Sequence, residues 1–286
     1  MKKYIVMGAL AALAVSPLGL MADTMPARKD TTVLRKPVVA AGPVDRTLEV
    51  RLGPRVSFLD GDVRVGRTGT EFSIWDGLNF DEPNIGADFD VDWQPWNRIH
   101  VIGGLTYDKY DQDGTTALAI SRTGGDRLAA GSTVSADIDL FTFVAKLGYD
   151  VIKNNTWRVM PYIGGKGAYV DGRATATGTV LNAAGASLGT RTLTIDDEVG
   201  YGTFFGGVDT RAYISRDWYV GGDIGAFGLD NWTYLTGDAY TGYDFNQTWG
   251  VRLGYDFNYV DYENSNNTVK ADPLLGAVYV QAVWGY

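Results

Sequence analysis

The sequence predicts an all-β fold: a transmembrane antiparallel up-and-down β-barrel of about ten strands, with eight as the alternative count. Three observations predict it. First, six of the eight tryptophans stand where an alternating hydrophobic run meets a short polar turn. Trp93 and Trp96 flank Gln94-Pro95, Trp157 follows Lys153-Asn154-Asn155, Trp218 follows Arg216-Asp217, Trp249 follows Asn246-Gln247, and Trp284 lies two residues from the C-terminus. Indole has a large apolar body and one N–H and favours a membrane–water boundary, so tryptophans at one end of successive strands read as a membrane-interface girdle. Second, from Thr47 onward the hydrophobicity alternates with period two to the last residue. Third, the joints between runs alternate between tight and long.

Residues 1–22 read as a secretory signal peptide: Lys2-Lys3 form a charged start, Tyr4 to Val15 an apolar stretch, and Leu20-Met21-Ala22 a cleavage site. The stretch is shorter than the roughly 20 residues a membrane helix needs. Residues 23–46 carry Pro26, Pro37, Pro43, Arg28, Lys29, Arg35 and Lys36 with no periodicity, and read as a flexible periplasmic tail ahead of a barrel spanning 47–286. Removing Lys2 and Lys3 from the 25 basic residues leaves 23 against 34 acidic, a net charge of −11. That balance argues against a nucleic-acid partner, which needs clustered Lys and Arg. The absence of cysteine excludes a disulfide scaffold, a thiol nucleophile, a Cys-ligated metal and a lipobox anchor.

Ten alternating runs follow, at about 48–66, 84–94, 98–110, 136–151, 157–172, 198–214, 218–228, 234–245, 248–262 and 273–286. In the first, Leu48, Val50, Leu52, Val56 and Phe58 share one face, and Glu49, Arg51, Gly53 and Arg55 the other. The second opposes Ile85, Ala87, Phe89, Val91 and Trp93 to Gly86, Asp88, Asp90 and Asp92. In the ninth, Trp249, Val251, Leu253, Tyr255, Phe257 and Tyr259 oppose Gly250, Arg252, Gly254, Asp256 and Asn258. The tenth sets Val278, Val280, Ala282, Trp284 and Tyr286 against Ala277, Tyr279, Gln281 and Gly285. Joints 94–98, 152–156, 215–217 and 246–247 are tight, whereas 111–135 and 173–197 are long and continue the alternation as extended hairpins. Short turns on one side and long loops on the other place the tight joints, and with them the tryptophans, in the periplasm. A soluble barrel or sandwich of the lipocalin kind shares the periodicity but would have to bury the charged face or leave the apolar one in water.

With its leader, alternating strands, alternating joints and terminal Val283-Trp284-Gly285-Tyr286, the chain resembles the bacterial outer-membrane β-barrel proteins, above all the small OmpA-like, opacity-type and omptin-sized barrels. The resemblance implies export to the outer membrane and contact with outer-membrane lipid and lipopolysaccharide. It also implies an assembly signal, Trp284 and Tyr286, read by the barrel-assembly machinery; Gln281 stands where that superfamily commonly has glycine.

If the apolar face meets lipid, the lumen-lining charges are Glu49, Arg51, Arg55, Asp88, Asp90, Asp92, Lys146, Arg158, Lys166, Asp209, Arg211, Asp223, Asp244, Arg252 and Asp256. Ten strands enclose a narrow interior, and opposite charges confined there pair rather than stand alone. Glycine pairs 103–104, 164–165, 206–207 and 221–222 fall within strands and make room for large neighbours rather than cradle a phosphate. The sole histidine, His100, follows a tight turn, where paired carboxylates would hold it. Barrel proteases and lipid A deacylases resembling this chain place their histidine at the opposite rim, so no catalytic residue is assigned. Asp108, Asp111, Asp113 and Gly114 read as an acidic turn, joined in space by Asp196, Asp197, Glu198, Asp60 and Asp62. The spacing lacks the calcium-loop pattern, so neither a metal nor a cofactor is expected. Residues 70–83, centred on Ile74-Trp75-Asp76-Gly77-Leu78, are apolar enough for a lid. The expected role is structural or surface-interacting, toward an extracellular ligand. A narrow porin for small solutes is the alternative, and an outer-membrane hydrolase or lipid A-modifying enzyme the remaining one.

Overall fold

The computed structural model describes residues 43–65, 71–73, 83–116, 120–121, 127–182, 184–229, 232–263 and 269–286. The predicted leader, most of the tail and the apolar segment around Trp75 lie outside these residues. Ten strands form the wall: β1 (Leu48–Asp60), β2 (Asn84–Trp96), β3 (Ile99–Thr115), β4 (Thr133–Tyr149), β5 (Trp157–Leu181), β6 (Ser187–Tyr213), β7 (Trp218–Leu229), β8 (Trp232–Asp244), β9 (Trp249–Glu263) and β10 (Leu274–Gly285). Each pairs antiparallel with the next in sequence, and β10 pairs back on β1 from Glu49↔Gly285 to Asp60↔Leu274, so the sheet closes on itself. All ten predicted runs are strands of this barrel, and the count of ten stands over eight.

The tight turns show why tryptophan follows a polar pair. Asn154 Oδ1 accepts hydrogen bonds from the backbone N–H of Thr156 and Trp157, both at 2.8 Å. Ser215 Oγ does the same for Asp217 and Trp218 at 3.3 and 3.1 Å, and Asn246 Oδ1 for Thr248 and Trp249 at 2.8 and 2.9 Å. One device, a short side chain that caps the backbone two and three residues on, reverses the chain three times. It delivers a tryptophan as the first residue of each returning strand. The β2–β3 turn works differently: Arg98 takes a left-handed φ of 79°.

Outside and inside are inverted relative to a water-soluble protein. Phe204 and Ile85 are 77% and 76% exposed, while Arg55 and Asp108 are 4% and 0% exposed. The exposed apolar band runs from the tryptophan rim up to a row in which Tyr107, Phe141, Tyr169 and Gly200 lie in register on β3 to β6. On β3 that is the span from Ile99 to Tyr107, about 20 Å at about 3.3 Å per residue and a tilt of roughly 40°, close to the hydrocarbon band of such barrels. One step higher the outer face turns ionic: Lys109, Asp139, Asp171 and Glu198 form the next row, and Asp111, Asp137, Arg173 and Asp196 the one after. The Lys109 ammonium lies 3.5 Å from Asp137, which holds its pKa above the usual lysine value.

Strands β3 to β6 continue beyond this rim. Thr115 pairs with Thr133, and β5 and β6 stay zipped to Leu181↔Ser187, so the described parts of segments 111–135 and 173–197 carry the strands on as the extended hairpins their alternation predicts. This extension corrects the reading of Asp108, Asp111, Asp113 and Gly114 as an acidic turn. All four belong to β3, where alternation sends Asp108 inward to full burial and Asp111 and Asp113 outward. Asp196, Asp197 and Glu198 likewise lie in strand β6. β6 pairs with β7 only from Gly206↔Ala226 downward, and among the described residues no strand covers that edge of Ser187–Phe205.

The strand glycines accept rings from their neighbours. A Cβ on Gly242 would collide with Tyr219, on Gly254 with Tyr279, on Gly221 with Tyr240, and on Gly207 with Tyr162. These aromatic side chains lie flat on the inner wall because the facing position has no side chain.

Candidate functional site

The interior is built by alternation: every second residue of each strand points inward, and in the tight-turn half many of those residues are charged. The fifteen charged residues read as lumen-lining occupy inward-facing positions.

At the tight-turn mouth, Arg46 bonds Asp244 at 2.8 Å and lies 3.5 Å from Glu49, and it donates to the backbone oxygens of Gln247 and Asn246 at 3.0 and 3.3 Å. Glu49 also meets Arg211 at 3.5 Å and Arg51 at 3.8 Å. Beside them Arg158 reaches Asp209 at 2.9 Å and Asp92 at 3.7 Å. His100 Nδ1 is 2.8 Å from Asp92 and Nε2 3.0 Å from Asp150; a ring with acceptors at both nitrogens is satisfied as a double donor. Every charged side chain in this layer is nine-tenths buried except Asp209, at 14% exposed.

Aromatic rings fill the gaps. The Arg211 guanidinium lies 4.6 Å from the Tyr219 ring, and that of Arg252 3.5 Å from the Tyr240 ring. Arg252 also pairs with Asp238, which accepts the Tyr279 hydroxyl at 2.6 Å. Higher up, Arg55 bridges Asp108 at 3.1 Å and Asp256 at 3.2 Å. Lys146 pairs with Asp223 and stacks 4.6 Å from Tyr162. Gln281, where resemblance suggested glycine, donates to Asp88 and Asp90, both at 2.8 Å. Lys166 donates to Asn258 at 2.5 Å. Beside Lys146 and Lys166 an apolar cluster forms around Tyr162, Phe205 and Tyr234, with Val144, Phe227 and Val260 packed on it.

Between the ionic layer and the apolar ring lies a cavity of about 130 Å³, bordered by Arg55, Asp88, Asp90, Lys166, Asn258 and Gln281 among others. No group of three or more potential ligands is placed to hold a metal among the described residues.

Several partners escaped sequence reasoning. Asp238 has the inward parity of Asp244 on β8, so a stricter count would have found it. Asp108 lay inside the predicted run 98–110 with inward parity but was grouped with Asp111 and Asp113 as an acidic turn. Arg46 sits outside any strand, where alternation gives no signal, whereas Asp150 has the inward parity of Lys146 at the end of the predicted run 136–151. The six girdle tryptophans lie on the outer surface of the tight-turn end: Trp93, Trp157, Trp218 and Trp249 are about half-exposed, Trp96 more so, and Trp284 is 36% exposed. Tyr286 closes the last strand, its backbone N–H donating to Leu48 O at 3.1 Å.

No protein-family profile matches the chain, and no curated protein does. Solved structures do match. The outer-membrane protease OmpT from Escherichia coli aligns over 87% of this chain and 99% of its own, with a TM-score of 0.56 at 10% identity. Neisserial surface protein A aligns over 84% and 97%, TM-score 0.32, 12% identity; the attachment invasion locus protein of Yersinia pestis, Ail, over 82% and 97%, TM-score 0.31, 12% identity. At such identity the OmpT match speaks for fold alone. The chain thus has the fold of that barrel: ten antiparallel strands closed on themselves, with an apolar exterior band and an ionic interior.

Proposed function

We propose that the protein is a closed, non-enzymatic barrel whose work is done at the cell surface by the extended β3–β6 sheet. The observation that carries this reading is the layer of Arg46, Glu49, Asp92, Arg158, Arg211 and Asp244, whose side chains are nine-tenths buried and bonded to one another across the tight-turn mouth. Opening it to solute would separate several buried ion pairs at once, and a charge left buried without its partner typically costs about 3–5 kcal/mol.

In this reading the tight turns face the periplasm and the long hairpins the exterior. The six tryptophans anchor the periplasmic interface, and the outer ionic rows meet lipopolysaccharide headgroups. Trp284 and Tyr286 serve the barrel-assembly machinery during biogenesis. Long strands raised above the bilayer offer a surface for an extracellular ligand. Catalysis is disfavoured because His100 is enclosed by Asp92 and Asp150 at the periplasmic rim, away from any surface substrate.

Planar-bilayer recording tests the proposal. The purified barrel should insert without resolved conductance steps. Discrete, reproducible openings would overturn it in favour of a narrow porin.

A further inference from the structure

One margin of β6 runs on without a neighbour. Its register with β5 is unbroken from Thr179↔Thr190 down to Trp157↔Ala212, and the register shift lies at the tip, between Thr179 and Leu181. On the other side β6 pairs with β7 only from Gly206↔Ala226. Carrying that register upward sets Leu229 level with Thr203, and from there the chain turns back into β8 at Trp232. The β7–β8 hairpin thus ends below the outer ionic rows. Along Thr190–Asp197, above the apolar band, the backbone groups that point away from β5 meet no strand among the described residues.

Such a margin is a template: alternate residues present N–H and C=O in line, and an extended chain laid against them completes the ladder. Nothing in Thr190–Asp197 blunts it. The stretch has neither proline nor glycine, and Thr190, Thr192, Thr194 and Ile195 are β-branched. The neighbouring charge selects the occupant. The two outer ionic rows hold two cations, Lys109 and Arg173, against six carboxylates. Arg173 stands opposite Asp196, but Glu198 stands opposite a second carboxylate, Asp171. A second copy in the same membrane points its strands the same way and brings its own Asp196 and Glu198 to the same height, like charge against like. We propose that this margin docks an extended segment of another protein by strand addition, with lysine or arginine beside Asp196 and Glu198 and β-branched residues beside Thr190, Thr192 and Thr194. The added strand runs antiparallel to β6, the stronger pairing per residue. Main-chain bonds supply affinity, and the acidic end sets the register. The proposal rests on the β3–β6 extension being the working surface. Conductance decides whether the barrel is closed and peptide binding decides the margin, so the two can fail separately.

Fluorescence-anisotropy titration of the full chain in detergent micelles tests it with synthetic peptides. The probe alternates threonine and valine and carries two lysines, two residues apart, near its N-terminus. It should saturate one site and slow amide exchange within Thr190–Asp197. An added strand bonds along one edge only. N-methylation of one alternate set of its amides should therefore weaken binding at least about tenfold, and methylation of the other set should be tolerated. Glutamate in place of the lysines should weaken binding about tenfold, and Asp196→Lys with Glu198→Lys should reverse that order. Both positions are exposed, so the doubly substituted barrel should still fold. Absence of saturation, equal loss from the two methylation patterns, or an unchanged order of probes on the folded variant would overturn the proposal. The methylation comparison uses the unaltered chain.

Discussion

Gly242→Val is expected to cost the barrel about 3 kcal/mol or more, or to prevent folding altogether. Gly242 sits directly across from Tyr219, whose ring occupies the space a Cβ would need. The ring cannot swing away. It is 1% exposed, carries the Arg211 guanidinium on its face and packs edge-on to Tyr240 at 6.2 Å between centroids. The added methyls therefore push on an aromatic–cation stack rather than on a flexible chain end. Adding Tyr219→Ala to Gly242→Val removes the clash and should recover much of the loss, so the two changes should be strongly non-additive. Gly103→Ala is the control, since nothing lies within 4 Å of the new carbon; it should change stability by less than about 0.5 kcal/mol. Urea titration followed by tryptophan fluorescence reads all four chains.

Arg158→Met should destabilise by about 3–5 kcal/mol, because it leaves Asp209 and one side of Asp92 in the lumen without their cation. Methionine roughly replaces the lost volume, so the effect reports charge rather than a cavity. A second change, Asp209→Asn, removes one of the stranded anions and should restore part of the stability. Arg158→Lys is not conservative here, as a single ammonium cannot reach two carboxylates with the geometry of a guanidinium fork. A loss below about 1 kcal/mol in Arg158→Met, read by the same urea titration, would mean that water reaches this layer freely.

The strands were legible because alternation is a one-dimensional signal that needs no knowledge of partners. Leu52 faces out and Arg51 faces in whatever strand lies alongside. The same parity identified the inward charges from Glu49 to Asp256. It could not say who pairs with whom: Arg55 reaches Asp256 across 201 residues of sequence, a distance set by closure of the barrel. The ends of strands were less sharply marked: the runs were bounded at 172 and 198, with the alternation between them read as a hairpin, and residues 173–181 pair with 187–197 as β5 and β6 run on. Gln281 stood out as a departure from a terminal-strand pattern; only the fold shows that it holds Asp88 and Asp90.

Eight of the ten strands have as neighbours the strands just before and after them in sequence. The exceptions, β1 and β10, close the ring. There Thr47 N–H and Oγ1 both bond Tyr286 O, 239 residues away, at 2.8 and 3.0 Å, and Arg46 reaches past β10 to the β8–β9 turn. Hairpins can form early from local contacts, whereas this seam must wait until the two distant ends meet. Until then two unpaired edges stay open to any other strand. The slow step of biogenesis is thus expected to be the meeting of the ends, with Arg46 locking last. A chain stalled there would carry nearly all its hairpins and still be sticky along both margins.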